Sequence, residues 1–377
     1  MSAQHIAARR PGFMERERLQ DFLDVFRLLG YRTLGPVVEE ETIQWREVDT
    51  IDALPTGVQA RQGPGEYRLE EQSENRLFAW NHGPQAIKPL LFSAEETLWH
   101  ERLMADGQVD IKQTLPEVKP TAIFGVRACD LAALALQDRH FLSQQNPDPH
   151  YKARREALFL IGIDCAFSAA TCFCTSTGDG PSLGEGFDIG MAELDDGYLV
   201  WGGSVKGGEI IGGLSLEPAT EAQLNSMIQE TDRAAAQQHR FLPGETELKQ
   251  LYDKLNHGHW DEIGARCLSC GNCTAVCPTC FCYSTGYQRT LDGQSAEMKR
   301  QWESCFSQTH SSMGQFMLRR ETALRYRQWL THKLAGWQEQ YGRSGCVGCG
   351  RCITWCPVGI DLTQAVAAIL DGGLADV

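Results

Sequence analysis

Residues 267–278 read CLSCGNCTAVCP, and residues 346–357 read CVGCGRCITWCP. Each run places four cysteines at the spacing C-x2-C-x2-C-x3-C and closes with a proline. The first three thiols of a run can surround one centre, whereas the fourth cannot reach the same centre. The two runs therefore predict a single module in which each run gives its last cysteine to the other.

This spacing is that of bacterial two-cluster ferredoxins, in which the fourth cysteine of each run ligates the other [4Fe-4S] cluster. We therefore predict that the first cluster is held by Cys267, Cys270, Cys273 and Cys356. The second cluster would be held by Cys346, Cys349, Cys352 and Cys277. The small residues Gly271, Gly348 and Gly350 would let backbone amides approach the sulfides.

Zinc is the alternative metal for Cys-x2-Cys pairs. Structural zinc sites usually take two such pairs separated by about 15–20 residues. Here three closely spaced cysteines are followed by Cys-x3-Cys-Pro, twice over, which is more than one tetrahedral ion needs. The spacing therefore favours iron–sulfur clusters.

A repeated phrase carries some of the remaining cysteines: residues 170–178 read ATCFCTSTG and residues 278–286 read PTCFCYSTG. The N-terminal half contributes four further cysteines, Cys129, Cys165, Cys172 and Cys174. Cys129 and Cys165 each follow an apolar segment typical of a strand, at 121–126 and 157–163, and ligand crevices lie at the carboxyl ends of such strands. We predict that these four cysteines hold a third [4Fe-4S] cluster. Reduced core cysteines are the alternative.

The second copy of the phrase contains Cys280 and Cys282, for which the assignment above leaves no cluster. We expect them to be buried thiols or hydrogen-bond partners beside the second cluster. Cys305 is a candidate nucleophile, but no histidine stands at a recognisable spacing from it, which favours a buried thiol. His257 and His259 lie in a polar loop and are expected at the surface.

The charge of the chain limits its partners. Its formal net charge of −14 argues against nucleic acid and against an anionic membrane surface.

The longest apolar run, residues 157–163, is too short to span a bilayer. Arg9 and Arg10 are not followed by the apolar segment of an export signal, so we predict a cytoplasmic protein whose cysteines bind metal rather than form disulfides.

We predict a mixed fold, α+β or α/β. An N-terminal mixed α/β domain would cover residues 1–215, a helical linker 216–260, and a helix-rich, split two-cluster ferredoxin domain 261–377, with a helical insert at 283–342. Residues 14–30 read as an amphipathic helix ended by Gly30.

Two further elements of the N-terminal part can be read locally. Strands are predicted at 31–40 and 42–48. A helix is predicted over 93–104, where Ser93 and Glu96 have the spacing of a capping box.

The helix prediction for the insert rests on apolar residues that recur at three, four or seven positions. These are Phe316, Ala323, Tyr326, Leu330, Leu334 and Trp337. The opposite face carries Arg319, Arg320, Arg325, Arg327 and Lys333. This basic face is either solvated, a docking surface for an acidic partner, or a set of charges that raises the potential of a cluster.

Nucleotide-binding motifs are not found. No G-x-G-x-x-G or P-loop stands between a strand and a helix, so we expect no FAD or NAD site in this chain. With two or three clusters and no substrate motif, the chain is predicted to move electrons and to need partners on both sides.

Several motifs, in this order, carry a resemblance to a known family. They are GPGEYRL at 63–69, FGVRACDLAAL at 124–134, TCFCTSTGDGP at 171–181, CGNCTAVCPTCFC at 270–282 and CVGCGRCITWCPVGIDL at 346–362. Together they resemble the β subunit of cytosolic sulfhydrogenases, the NAD(P)-linked type 3b nickel–iron hydrogenases. The A subunit of anaerobic sulfite reductase is similar.

The resemblance implies a non-catalytic electron-transfer subunit in an oxidoreductase complex. A flavoprotein subunit that binds FAD and NAD(P) would exchange hydride, and this chain would relay electrons to a hydrogenase or reductase catalytic module. A sulfite or sulfur reductase as the catalytic partner, a cluster-based redox sensor, and an enzyme that binds a small substrate at the third cluster are the alternatives.

Overall fold

The computed structural model describes residues 11–72 and 75–371. Arg9 and Arg10 lie outside the described residues. The strands are β1 (Gly12–Glu15), β2 (Arg32–Glu39), β3 (Thr42–Glu47), β4 (Val58–Gly63), β5 (Glu66–Glu71), β6 (Glu95–Leu103), β7 (Val109–Gln113), β8 (Thr121–Val126), β9 (Leu158–Ile163), β10 (Ile189–Glu193), β11 (Gly197–Gly202), β12 (Glu217–Pro218), β13 (Tyr283–Arg289), β14 (Ser295–Trp302), β15 (Ser312–Met313) and β16 (Phe316–Met317).

Helices occupy several of the connections between these strands and part of the C-terminal third. They are α1 (Leu19–Leu28), α2 (Lys88–Leu91), α3 (Ala128–Leu142), α4 (Pro149–Glu156), α5 (Cys174–Thr177), α6 (Val205–Gly212), α7 (Glu221–Ala236), α8 (Glu245–Lys249), α9 (His259–Arg266), α10 (Asn272–Ala275), α11 (Thr322–Thr331), α12 (Trp337–Tyr341), α13 (Arg351–Thr354) and α14 (Leu362–Leu370). A π-helical turn, His332–Gly336, joins α11 to α12. Among the described residues, none of the helices is both long and apolar enough to cross a membrane.

An eight-stranded mixed sheet forms the N-terminal body. Its strand order is β12-β1-β11-β10-β9-β8-β2-β3, with parallel pairing from β10 through β9 and β8 to β2 and antiparallel pairing elsewhere. The strand predicted at 121–126 is β8, every residue of which is buried. Because β8 and β9 are parallel neighbours, their carboxyl ends meet at one edge of the sheet. The predicted mixed α/β fold is confirmed.

Helices cover both faces of this sheet. On one face, Phe26 of α1 packs edge-on against Phe124 of β8, with ring centroids 5.3 Å apart. On the other face, Leu131 of α3 and Tyr151 of α4 are buried in a second apolar cluster. Two covered faces explain why the central parallel strands read as continuous apolar runs.

The first helix is shorter than its sequence pattern suggests. Residues 12–15 belong to β1, and α1 begins at Leu19. Gly30 follows the helix end in the left-handed region, at φ +81°, and its amide donates to the carbonyl of Arg27 at 3.0 Å. The predicted glycine cap is therefore confirmed.

A four-stranded antiparallel sheet joins the two halves of the chain and corrects two predictions. Its order is β13-β14-β6-β7. The helix predicted over 93–104 is wrong, because those residues mostly form β6, which pairs with β14 and β7. The helical insert predicted at 283–342 is wrong for its first part, which forms the β13–β14 hairpin. Pairing between segments this distant in sequence overrides local propensity.

The second part of the insert is helical as predicted. The apolar stripe from Ala323 to Trp337 is buried, whereas Phe316 lies in β16 and is exposed. The basic face is not uniformly solvated, because Arg325 and Lys333 are buried. Arg325 donates to the carbonyl of Phe306 at 2.8 Å. These two positive charges therefore lie in the protein interior and not on a solvated helix face.

The linker region 216–260 is helical, as its sequence indicates. It contains α7, which begins with a capping box between Thr220 and Gln223, followed by α8 and the first residues of α9. The predicted domain boundaries stay a prediction, since the four-stranded sheet spans them.

Close helix packing in the C-terminal third generates a stability prediction. A Cβ added to Gly264 of α9 would lie 2.6 Å from the Cβ of Ala323 in α11. Gly264→Ala gains roughly 1 kcal/mol of helix propensity, but overpacking typically costs about 1–3 kcal/mol. We expect a net fall in the midpoint of thermal unfolding, measured on anaerobic protein.

The control is Gly208→Ala in α6, where an added Cβ meets no atom within 4 Å. Helix propensity then acts alone, so the unfolding midpoint should be unchanged or higher. An equal fall in both variants would contradict the packing argument.

Candidate iron–sulfur centres

The first predicted ligand set surrounds one cavity. Its lining includes Cys267, Cys270, Cys273 and Cys356. Cys267 caps the C-terminal end of α9, and Cys356 follows α13. The amide of Ser269 donates to Cys267 Sγ at 3.5 Å, and that of Ile360 donates to Cys356 Sγ at 3.3 Å. The fold thus brings these four thiols together as the spacing predicts.

Two buried polar groups line the same cavity without a protein partner. Among the described residues, neither the hydroxyl of Tyr326 nor the indole Nε1 of Trp329 has a hydrogen-bond partner. The Tyr326 hydroxyl interacts electrostatically with Cys273 and Cys267. Buried donors rarely remain unpaired. Four thiols and two free donors fit a [4Fe-4S] cluster, whose sulfurs accept such hydrogen bonds.

The second predicted ligand set also comes together. Cys352 interacts electrostatically with Cys346, Cys277 and Cys349. The amide of Gly348 donates to Cys346 Sγ at 3.5 Å. The cysteine that closes the first run therefore lies with the first three cysteines of the second run, as in the ferredoxin arrangement.

A buried lysine lies beside this second set. Lys333 Nζ donates to Thr279 Oγ1 at 2.9 Å and to Cys277 Sγ at 3.5 Å. Burial by itself lowers the pKa of Lys333, but the nearby thiols of Cys277 and Cys280 outweigh burial and raise it. The ammonium therefore stays charged next to a predicted cluster ligand.

The four N-terminal cysteines also form one group. Cys129 lies in the first turn of α3, directly after β8, and Cys165 follows β9. Cys174 interacts electrostatically with Cys172, Cys165 and Cys129. Cys129, Cys172 and Cys174 are buried and Cys165 is half-buried. The expected meeting of these residues at the carboxyl edge of the sheet is what the structure shows.

A hydrogen-bonded chain supports Cys129. Both terminal nitrogens of the Arg351 guanidinium donate to the Asp130 carboxylate at 2.9 Å, and Nη2 also contacts His82 Nδ1 at 2.8 Å. Burial, followed by the charge of Arg351, lowers the pKa of His82 to about 3. His82 is therefore neutral, and because Nδ1 accepts from Arg351, Nε2 carries the proton. Nε2 lies 3.0 Å from Cys129 Sγ and donates to it.

The sulfur of Cys174 accepts a hydrogen bond and is closely packed. Gln238 Nε2 donates to Cys174 Sγ at 3.3 Å, and Gln238 Oε1 accepts from the amide of Thr175 at 3.0 Å. A Cβ added to Gly180 would lie 3.0 Å from this sulfur. The α7–α8 connection and the 178–181 turn thus close around the thiol.

The second cysteine run packs directly on the first copy of the repeated phrase. A Cβ on Gly348 would lie 2.5 Å from the backbone of Cys174, and one on Gly350 would lie 2.4 Å from the carbonyl oxygen of Thr171. Both glycines have positive φ, +64° and +74°. The amide of Phe173 donates to the Gly348 carbonyl at 2.8 Å. These glycines therefore serve backbone contact between the two loops, a role that the sequence did not indicate.

The three cysteine groups have an order. Cys352 belongs to the second set but also borders the cavity of the first. Cys349, another member of the second set, interacts electrostatically with Cys172 and Cys174 of the third group. The second set therefore lies between the other two.

The second copy of the phrase is placed in part as expected. Cys280 and Cys282 are half-buried rather than buried. The Cys280 thiol donates to Cys277, which holds the pKa of Cys277 well below its usual value. Cys282 pairs instead with Cys305, which is buried.

Most of the side chains that contact the cysteine groups were not predicted from the sequence. The sequence places Lys333 on a basic helix face, for which charges that raise the potential of a cluster are one of three alternatives, and nothing in the sequence marks His82 or Gln238. Asp130 lies beside a cysteine in the FGVRACD motif, which was the available signal. Arg351 lies between two cysteines of the second run. A charged residue at that position was the available signal for Arg351.

The comparisons with known proteins agree with this geometry. A model of the 4Fe-4S dicluster domain matches residues 266–360. The chain is 32% identical over 364 residues to sulfhydrogenase 2 subunit beta of Pyrococcus furiosus, an alignment that covers 95% of this chain and 98% of the relative. No solved structure matches the chain. The resemblance read from the sequence is confirmed, and the chain belongs to the sulfhydrogenase β-subunit family and carries a 4Fe-4S dicluster domain.

Proposed function

We propose that this chain is the electron-transfer subunit of an oxidoreductase complex, relaying electrons between an NAD(P)H-linked flavoprotein subunit and a nickel–iron hydrogenase module. The observation that carries the proposal is the row of three cysteine groups. Bound clusters would supply one-electron transfer. The relative is named as a sulfhydrogenase subunit, which supports a hydrogenase as the catalytic partner.

The cysteine groups differ in their access to solvent. Cys270 of the first set is exposed, as is its neighbour Leu268. Three members of the third group are buried beneath the loops that pack on them. Electrons would thus pass between the first set and one partner. The third group would hold the most deeply buried cluster.

A third [4Fe-4S] cluster at Cys129, Cys165, Cys172 and Cys174 is part of this proposal. Its support is the convergence of four thiols with two side-chain N–H donors, from His82 and Gln238. Donors aimed at thiolates favour a negatively charged cluster. Four unrelated core cysteines would not need them.

The residues of the chain itself set the electrostatics of the relay. Lys333 places a positive charge beside the second group, whereas the charge of Arg351 is balanced by the Asp130 carboxylate. Reduction adds an electron to a site that is already negative, so the charge of Lys333 favours the reduced form. The arrangement suits transfer of electrons more than substrate chemistry.

The partner assignment is tested by purification of the tagged chain from its native host under anaerobic, gentle conditions, with mass spectrometry of the stoichiometric partners. A flavoprotein together with nickel–iron subunits is expected. A flavoprotein with a sirohaem subunit would replace the hydrogenase by a sulfite reductase. Recovery of the chain alone, with potentials that respond to a small ligand, would refute the relay.

Iron content tests the third cluster. Three clusters predict about twelve iron and twelve sulfide per chain, and two clusters predict about eight. Cys172→Ser should lower the iron content by about four, because it removes a ligand of the third cluster alone. Cys280→Ser is the control, since Cys280 lies outside all three sets, and should keep the wild-type content. Eight iron in wild-type protein would exclude the third cluster.

The charge of Lys333 generates a prediction about potential. Lys333→Met removes a positive charge beside Cys277, so the second cluster should be harder to reduce and its midpoint potential should fall, as followed by an anaerobic redox titration. The exposed Lys206 provides the matched control, since Lys206→Met changes net charge equally. Equal shifts in both variants would contradict a local effect.

A further inference from the structure

A cluster of possible metal ligands lies at the base of the β13–β14 hairpin, apart from the three cysteine sets. Cys282 directly precedes β13, and Cys305 follows β14. The amide of Glu303 donates to the Cys282 carbonyl at 2.9 Å, which extends the strand pairing toward both thiols. The hairpin therefore holds the two cysteines side by side.

A histidine completes this group. His310 belongs to a single 3₁₀ turn, Thr309–Ser311, just after Cys305. One ring nitrogen of His310 and the sulfurs of Cys282 and Cys305 all lie within 4.8 Å of one another. Ligand atoms of one tetrahedral zinc are roughly 3.3–3.8 Å apart, given Zn–S and Zn–N bonds of about 2.3 and 2.0 Å. Small side-chain rotations would therefore place all three atoms on one ion.

We propose that Cys282, Cys305 and His310 bind a single Zn²⁺, with the fourth coordination position open to solvent. Two thiolates and one imidazole are a ligand set that zinc takes in proteins, and three protein ligands with one open position is the arrangement of reactive zinc sites. Two thiolates also balance the charge of a divalent ion. The fourth position would take water or a small thiol.

The hydrogen bond from Cys282 to Cys305 lowers the pKa of Cys305 to about 7, whereas the same bond and burial raise the pKa of Cys282, so zinc would displace the proton that the pair still holds. Lys333 interacts electrostatically with both Cys282 and Cys305, and Arg319 interacts with Cys305. Cationic neighbours stabilise the thiolate, which is the form that binds metal. Cys305 is buried, whereas Cys282 is half-buried, so the ion would be reachable from solvent on one side.

The nearby imidazole of His310 distinguishes a metal site from a pair of cysteines that merely lie side by side. Two adjacent cysteines alone could form a disulfide, but a disulfide gives His310 no role. The iron–sulfur assignments already supply four thiols to each proposed cluster without Cys282 or Cys305. The site therefore adds a metal of a different kind and does not compete with the relay.

The test is the zinc and iron content of the whole chain, purified anaerobically with its partners and without added zinc. We expect about one zinc per chain, with X-ray absorption at the zinc edge showing two sulfur ligands near 2.3 Å and one imidazole nitrogen near 2.0 Å. Cys305→Ser and His310→Ala should each lose the zinc while the iron content stays at the wild-type value.

His257→Ala is the matched control, because the half-buried His257 lies in a different loop, before α9, and this variant should keep its zinc. His310 is at least partly exposed, so its variant remains informative if Cys305→Ser does not fold. Wild-type protein without zinc, zinc retained in His310→Ala, or a Cys282–Cys305 disulfide found by peptide mapping would each overturn the proposal.

Discussion

The buried ion pair between Arg351 and Asp130 is the constraint on which the arrangement of the centres depends. Arg351 belongs to the second cysteine run, and Asp130 lies in the first turn of α3, directly after a strand of the large sheet. Both side chains are almost fully buried. Removal of one partner from such a pair typically costs about 3–5 kcal/mol, because the other charge stays buried and unpaired. The pair therefore fixes the cluster-binding module against the N-terminal sheet.

The same pair sets the chemistry of its neighbours. Burial, followed by the charge of Arg351, keeps His82 neutral, and the hydrogen bond from Arg351 fixes its tautomer, so that His82 donates to Cys129. The glycines at 348 and 350 allow the loop that carries Arg351 to approach residues 171–174 at backbone contact. Packing of the two halves thus also covers the loop that carries Cys172 and Cys174. The repeated TCFC phrase fits this view: its first copy completes the third group, whereas its second copy lies beside the second set.

Charge is distributed differently inside and outside the molecule. The chain as a whole carries a formal charge of −14, yet Lys88, Lys333 and Arg351 are buried among the cysteines. Lys88 is held by the carbonyls of Thr274 and Ala275, and its ammonium lies 4.0 Å from the ring centroid of Trp302. Buried cations offset the negative charge of thiolate-bound clusters. An acidic surface and a basic interior are therefore compatible.

Much of the fold and of the centres could be predicted from the sequence. Fixed cysteine spacing encodes the ferredoxin sets directly, and apolar runs such as 121–126 identify buried parallel strands. The failures have a common physical cause, which is pairing or burial between segments distant in sequence. Residues 95–103 become a strand because the 283–302 hairpin pairs with them. Lys333 becomes a buried charge because Cys277 packs against it, and no local pattern shows either.

The central claim is that the three cysteine groups hold clusters in a continuous row, with the second set in the middle. Electron paramagnetic resonance of the fully reduced protein tests it most directly, because clusters in adjacent sites interact magnetically. The account predicts broadened, interacting signals that simplify when the middle cluster is removed by Cys352→Ser. Three sharp signals that are unaffected by that substitution, as from isolated clusters, would contradict the account.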